Sequence, residues 1–266
     1  MSDDARLDLA LDLARRAGAV LRGGYGRASS VRYKGPINPV TEFDVRSEAL
    51  IRDALHAAYP DDSILGEEGG ASGSGAGRWL IDPLDGTVNF AHSIPIFAVS
   101  IAYSRAGRTQ LGVIYDPMRE ELFQAAAGKG AWLNGRRLHV SPAEELDRSL
   151  LVTGFPYDIR TAAANNLDHY ADFALRTAGV RRLGSACLDL AYVAAGRFDG
   201  YWEFAVEPWD IAAGMLLVEE AGGLVTRADG HPDPLAPPMS IVAAGPRLHA
   251  AMLAVLAEPA DRRSGS

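Results

Sequence analysis

The stretch of this chain best equipped for chemistry is Asp82-Pro83-Leu84-Asp85-Gly86-Thr87-Val88-Asn89-Phe90, directly after the apolar run Trp79-Leu80-Ile81. Two carboxylates three apart stand at the end of an expected strand, and Gly86-Thr87 opens an expected helix. Carboxylate oxygens suit a hard cation such as Mg²⁺, and the free N–H groups of a helix N-terminus suit a phosphate dianion. Asp, Pro and Gly are also the commonest turn residues, so the run by itself reads as a solvated turn. The fixed positions extend through Thr87 and Asn89, and other acidic pieces of the chain fit around them, which turns the reading toward a site. Carboxylates 4 Å apart repel by about 1 kcal/mol in bulk water and about 4 kcal/mol at an effective dielectric near 20, so such acids gathered in a cleft call for counterions.

The elements that would position these acids can be read from the apolar periodicity. Leu7, Leu11, Ala14, Ala17 and Leu21 mark a helix from Asp3 to Gly24 that serves as scaffold. Val40-Thr41-Glu42-Phe43-Asp44 leads into a second helix with Phe43, Ser47, Leu50, Ile51, Ala54, Leu55 and Ala58 inward, which puts Asp44 in a first turn, where an acid complements the helix dipole. Ser63-Ile64-Leu65 reads as a short strand delivering Gly66-Glu67-Glu68, and Gly69 to Gly77 as a flexible Gly/Ser/Ala loop without the Gly-Lys-Ser/Thr of a phosphate cradle. Strands at 97–103, 110–115 and 121–126, then a hairpin turning at Asn134-Gly135, predict an antiparallel meander. From Leu150 helices and strands alternate: a strand at 150–153, a helix at 161–178 with Leu167, Tyr170, Ala171, Ala174 and Leu175 inward, a strand at 180–183, and Gly184-Ser185-Ala186 before a helix to Ala195. A strand at 199–203, a helix at 210–220, a strand at 240–243 and a helix at 246–257 complete the chain. The expected division is 1–145 for the metal- and phosphate-binding half, 146–258 for an α/β half that completes the site, and 259–266 for a frayed tail.

Composition narrows the function classes. The chain has 266 residues, 48% hydrophobic and 23% charged, enough for a large core. A formal net charge of -8 argues against a nucleic-acid binder. The acidic start Met1-Ser2-Asp3-Asp4 is unlike a signal peptide, and with no long apolar run the expectation is a cytoplasmic protein without a membrane partner. The single cysteine, Cys187, excludes an internal disulfide and a thiolate metal cluster and reads as core, and the six scattered histidines do not indicate zinc.

Taken together, Gly66-Glu67-Glu68, the run from Asp82 to Phe90 and Pro208-Trp209-Asp210-Ile211-Ala212-Ala213-Gly214 resemble the inositol monophosphatase family of magnesium-dependent, lithium-sensitive sugar phosphatases. Asn38-Pro39-Val40-Thr41-Glu42-Phe43-Asp44 and Gly184-Ser185-Ala186 add weaker support, and the pieces span nearly the whole chain. The resemblance implies a layered α/β (α+β) sandwich of the sugar-phosphatase type, with an antiparallel sheet in the first half and alternating α/β in the second. It implies that Glu67, Asp82, the Leu84 carbonyl, Asp85 and Asp210 hold two or three Mg²⁺ ions, and that water attacks phosphorus in line with help from Asp44, Thr87 and Glu67. It further places Gly86 and Thr87 at the phosphate, and Gly184, Ser185, Ala186, Glu203 and Asp210 around the alcohol. Lys34 lies near the position of a family lysine, one residue short in its spacing to Asp44. The implied protein is a homodimeric phosphomonoesterase acting on a small phosphorylated polyol, foremost inositol 1-phosphate. Histidinol phosphate and fructose 1,6-bisphosphate stay open as substrates on the same framework, and a noncatalytic interaction module stays open as a different class of function.

Overall fold

The computed structural model describes residues 3–27, 31–33, 39–162 and 165–258. Helix α1 (Asp3–Gly24) carries Asp3 and Asp4 in its first turn and Arg22 in its last, each matched to the helix dipole. Strands β1 (Val31–Tyr33) and β2 (Pro39–Thr41) pair antiparallel and lead into α2 (Glu42–Ala58). This helix starts on a capping box: Phe43 N–H donates to Thr41 Oγ1 at 3.2 Å, and Thr41 N–H donates to Asp44 Oδ2 at 2.9 Å.

Strands β3 (Ser63–Gly66), β4 (Gly70–Ser72) and β5 (Gly77–Asp85) come next, followed by the one-turn helix α3 (Thr87–Ala91). The meander is β6 (Ala98–Arg105), β7 (Arg108–Asp116), β8 (Glu121–Ala126), β9 (Gly130–Leu133) and β10 (Arg136–Arg137). Together these strands make an eight-stranded sheet in the order β10-β9-β8-β7-β6-β5-β3-β4. All its pairs are antiparallel except β3 with β5. That parallel pair matters for the site, because Gly66 sits opposite Ile81 and the next residues of the two strands are Glu67 and Asp82. The 69–77 segment, expected as a flexible loop, contains β4, which covers the edge of β3.

The second sheet has the order β12-β11-β13-β15-β14, from β11 (Leu150–Thr153), β12 (Gly179–Arg181), β13 (Gly200–Phe204), β14 (Leu224–Thr226) and β15 (Ser240–Ala244). It is mixed: β11 runs parallel to β12 and β13, whereas β15 runs antiparallel to β13 and β14. Helices α4 (Leu167–Arg176) and α7 (Pro246–Leu256) cover its outer face, α1 and α2 cover the outer face of the large sheet, and α5 (Ala186–Ala194) and α6 (Pro208–Glu220) lie between the sheets. The central helices are apolar nearly all round, as a two-sided layer requires. Close approach is bought by small residues. A Cβ on Gly112 of β7 would lie 2.8 Å from the Ala213 backbone of α6, and one on Gly214 would meet Leu190 of α5 at 2.5 Å.

One helix departs from its expected face. The structure starts α4 at Leu167 and buries Asp172 and Phe173, leaving Leu175 88% and Leu167 49% exposed. Phe173 packs on Trp202 with ring centroids 4.3 Å apart, and this aromatic pair outweighs the expected stripe of Leu167, Tyr170, Ala171, Ala174 and Leu175.

Candidate active site

β5 breaks register with β6 between Asp82 and Asp85, and that bulge turns both carboxylates into one cavity. Leu84 N–H donates to Asp82 Oδ1 at 3.0 Å, which fixes the turn. Gly86 follows with a left-handed φ of 92°, and Thr87 then begins α3. Because α3 has only five residues, its dipole is small, and any anion here would rely on individual N–H groups. Asn89 fastens the motif to the second half of the chain, donating to Leu183 O and Ile96 O at 2.9 Å each.

The cavity, about 470 Å³, is lined by Glu67, Asp82, Leu84, Asp85, Gly86, Thr87, Gly184, Ser185, Ala186, Glu203 and Asp210, which come from both sheets and the layer between them. Asp85 Oδ2 accepts from Ser185 Oγ at 2.5 Å and from Cys187 N–H at 2.7 Å, so the start of α5 is tied to the end of β5. Asp210 Oδ2 accepts from Glu207 N–H at 2.8 Å, so this acid caps α6 while facing the cavity. Asp44 lies behind the cavity wall, fully buried, with Oδ1 3.0 Å from the Thr87 hydroxyl and Oδ2 bonded to Thr41 Oγ1 at 2.5 Å. The Thr87 hydroxyl is also 2.9 Å from Leu84 O, so its one proton serves either acceptor.

Electrostatics mark the cluster as short of positive charge. Burial pushes Asp82 well above the ordinary carboxylate range, and the charges of Glu67, Asp85 and Asp210 push it further. Asp85 and Asp210 are also raised by burial, against the hydrogen bonds they accept. Asp44 is raised to about 6 by burial, with its Thr41 and Thr87 bonds opposing. Four carboxylates and a backbone carbonyl form an all-oxygen donor set whose mutual repulsion a hard divalent cation would relieve, so these residues fit such an ion. The Cys187 Sγ lies within 4.8 Å of oxygens of Asp82 and Asp85. Burial holds this thiol protonated and it bonds to Asp210 O at 3.2 Å, so it adds no thiolate to the set.

On the far side, the Glu203 carboxyl accepts from Tyr201 OH at 2.5 Å and is pushed by burial to about 7. Gly154 makes room for it, since a Cβ there would stand 2.1 Å from Glu203 Oε2. Gly154, Tyr157, Arg182 and Asp189 also line the cavity, and the sequence reading did not single them out. Only Asp189, an acid in an otherwise apolar helix, carried a signal that could have found it. The reading also passed over Glu48, whose buried carboxylate accepts from Glu68 N–H and Gly69 N–H at 2.7 Å each and so holds the turn carrying Glu67. Lys34 and Asn38 lie outside the described residues, as does the tail at 259–266. A larger apolar cavity of about 1100 Å³ beside Phe204, Met239 and Leu253 lacks this convergence of acids. Among the described residues, no helix is long and apolar enough to cross a membrane.

Comparison with known proteins agrees with this geometry. The sequence model of the inositol monophosphatase family matches residues 3–260. A Pseudomonas aeruginosa protein named Nus factor SuhB is 50% identical over 234 residues, 84% of this chain and 86% of that protein. An inositol-1-monophosphatase of Synechocystis is 45% identical over 229 residues, 85% of this chain and 80% of its own length. Among solved structures, an inositol monophosphatase from Anabaena superimposes with a TM-score of 0.88 at 43% identity, covering 97% of this chain and 98% of that one.

Proposed function

This chain belongs to the inositol monophosphatase family, and from that premise we propose that it is a Mg²⁺-dependent phosphomonoesterase acting on a small phosphorylated polyol, first of all inositol 1-phosphate. The observation that carries the reading is the convergence of Glu67, Asp82, Asp85 and Asp210 on one cavity, next to the Asp44–Thr87 pair. In this reading Glu67, Asp82, the Leu84 carbonyl, Asp85 and Asp210 hold two or three Mg²⁺ ions. Bound there, the ions supply Lewis acidity, acidifying water and offsetting negative charge at the phosphate and the departing oxygen.

The protein's own groups divide the remaining work. Asp44 accepts the Thr87 proton, which leaves the Thr87 oxygen free to accept from the attacking water and aim it at phosphorus. Glu67, at the cavity wall, assists in orienting that water. Gly86 and Thr87 offer backbone N–H groups to the phosphate oxygens. Glu203, with Gly184, Ser185 and Ala186, faces the alcohol, where a carboxylate accepts hydrogen bonds from hydroxyls. The reading includes a cytoplasmic homodimer that binds neither membrane nor nucleic acid, in keeping with the net charge of -8.

A second reading, a noncatalytic interaction role on the same fold, is favoured by the name Nus factor borne by the Pseudomonas relative. One experiment separates them: phosphate release from inositol 1-phosphate, histidinol phosphate and fructose 1,6-bisphosphate, with Mg²⁺ and with EDTA. Magnesium-dependent release led by inositol 1-phosphate is expected. No release from any of the three by folded protein would leave the interaction role standing.

A further inference from the structure

Asp189 closes the first turn of α5, where its N–H donates to Ser185 O at 2.9 Å. The helical repeat therefore puts it on the same face as Ser185 and Ala186, and all three line the cavity. Its position is not adjustable, because Ser185 Oγ and Cys187 N–H both anchor this end of the helix to Asp85. Its neighbours Cys187, Leu188 and Leu190 are buried in the apolar layer between the sheets.

The side chain is 1% exposed, and among the described residues its Oδ1 has no hydrogen-bond partner. Buried polar atoms are nearly always paired, and an unpaired carboxyl in an apolar helix is a standing penalty to the fold. Such a group is kept where a partner arrives from outside. Glu203 lines the same cavity, and the charges of Glu203, Asp85 and Arg182 all act on Asp189. Arg182 already supplies positive charge to this end of the cavity, so the missing partner is a donor rather than another cation.

We propose that Asp189 is a substrate-recognition residue that accepts a hydrogen bond from a hydroxyl of the polyol, in the cavity that Glu203 also lines. This rests on the phosphomonoesterase reading for the identity of the ligand. It calls for an alcohol with a hydroxyl donor beyond those that Glu203 takes, as a polyol supplies. Burial pushes the Asp189 carboxyl well above its ordinary range, and an oxygen that accepts from a hydroxyl is present in either protonation state.

The test compares inositol 1-phosphate with p-nitrophenyl phosphate, whose leaving group has no hydroxyls to offer, in wild type, Asp189→Leu and Asp189→Asn. The ratio of the two kcat/KM values is expected to fall about 10- to 100-fold in Asp189→Leu, the loss of one hydrogen bond to a buried acid. Most of it should return in Asp189→Asn, which keeps an oxygen in place. A ratio within about twofold of wild type in Asp189→Leu overturns the inference; if that variant does not fold, Asp189→Ala carries the same comparison. Calorimetric titration with unphosphorylated myo-inositol separates this inference from the phosphatase reading. Binding that weakens at least tenfold in Asp189→Leu supports the assignment even if no phosphate is released, and binding that is absent in wild type or unaltered in the variant overturns it.

Discussion

The Thr87 hydroxyl stands 3.0 Å from Asp44 Oδ1, across 43 residues of chain, and no other element intervenes between them. The second oxygen of Asp44 is occupied by Thr41, so Oδ1 is the one that can receive the Thr87 proton. Thr87→Ala and Asp44→Asn are therefore expected to lower kcat by about 10²- to 10⁴-fold at saturating Mg²⁺, the usual span for lost general-base assistance. Thr87→Ser keeps the hydroxyl and should lose less than about tenfold. Steady-state kinetics, with near-UV circular dichroism to show intact packing, would check this; near-normal turnover in Thr87→Ala would remove the pair from the mechanism.

Repulsion among Glu67, Asp82, Asp85 and Asp210 should make metal binding visible in stability. At a Mg²⁺ concentration of about 100 Kd the gain over EDTA is about 2.7 kcal/mol for one site, or roughly 5–10 °C in Tm at this chain length. Asp82→Asn is expected to melt higher than wild type in EDTA, since it removes a buried charge, and to lose most of the Mg²⁺ increment. Thermal melts of both proteins with and without the ion decide it, and an Asp82→Asn protein that melts lower than wild type in EDTA would contradict the account.

Glu48 supports the Glu67 turn from beneath, and Arg52 Nη1 reaches its Oε1 at 3.2 Å. Removing it in Glu48→Ala strands two backbone donors at a cost of about 2–4 kcal/mol. Because the turn also presents a ligand, Mg²⁺ affinity should weaken about 10- to 100-fold. Urea denaturation and calorimetric metal titration measure the two effects separately, and a stability loss with unaltered metal affinity would confine Glu48 to the fold.

His249 of α7 is buried, and that burial lowers its pKa below 6.5, with Thr226 Oγ1 3.0 Å from its Nε2. A depressed imidazole pKa means that the unfolded chain takes up the proton first. Its contribution is present above pH 6.5 and is lost as pH falls through the folded value. Asp44 and Glu203, raised to about 6 and about 7, act in the opposite sense, since their folded forms hold protons more tightly than the unfolded chain. The readout is thus a difference: between pH 7.5 and 5.5, His249→Gln should lose less unfolding free energy than wild type in urea titrations. Equal losses would show that His249 does not titrate with unfolding.

Much of the site was legible in the chain because its signals are local. Asp82, Asp85, Gly86 and Thr87 fall within six residues, and their turn chemistry and carboxylate spacing are properties of that segment alone. Asp44 and Asp210 were legible as first-turn acids, which they are, each bonded to the backbone N–H three residues before it. Glu48 and Gly154 were not, because their significance depends on partners 20 or more residues away. A buried glutamate on a helix and a glycine after a strand look ordinary until a neighbour is placed against them.

Residue types and local spacing specify the kinds of donor atom, their turns and the alternation that separates a meander from an α/β half. Tertiary structure decided which of them meet. The parallel pairing of β3 with β5 sets Glu67 beside Asp82, the seating of α5 and α6 between two sheets brings Ser185 and Asp210 to the same cavity, and Phe173 rather than Leu175 turns α4 inward. These are outcomes of long-range packing, where buried area summed over many residues outweighs any local preference, and no single segment carries that sum.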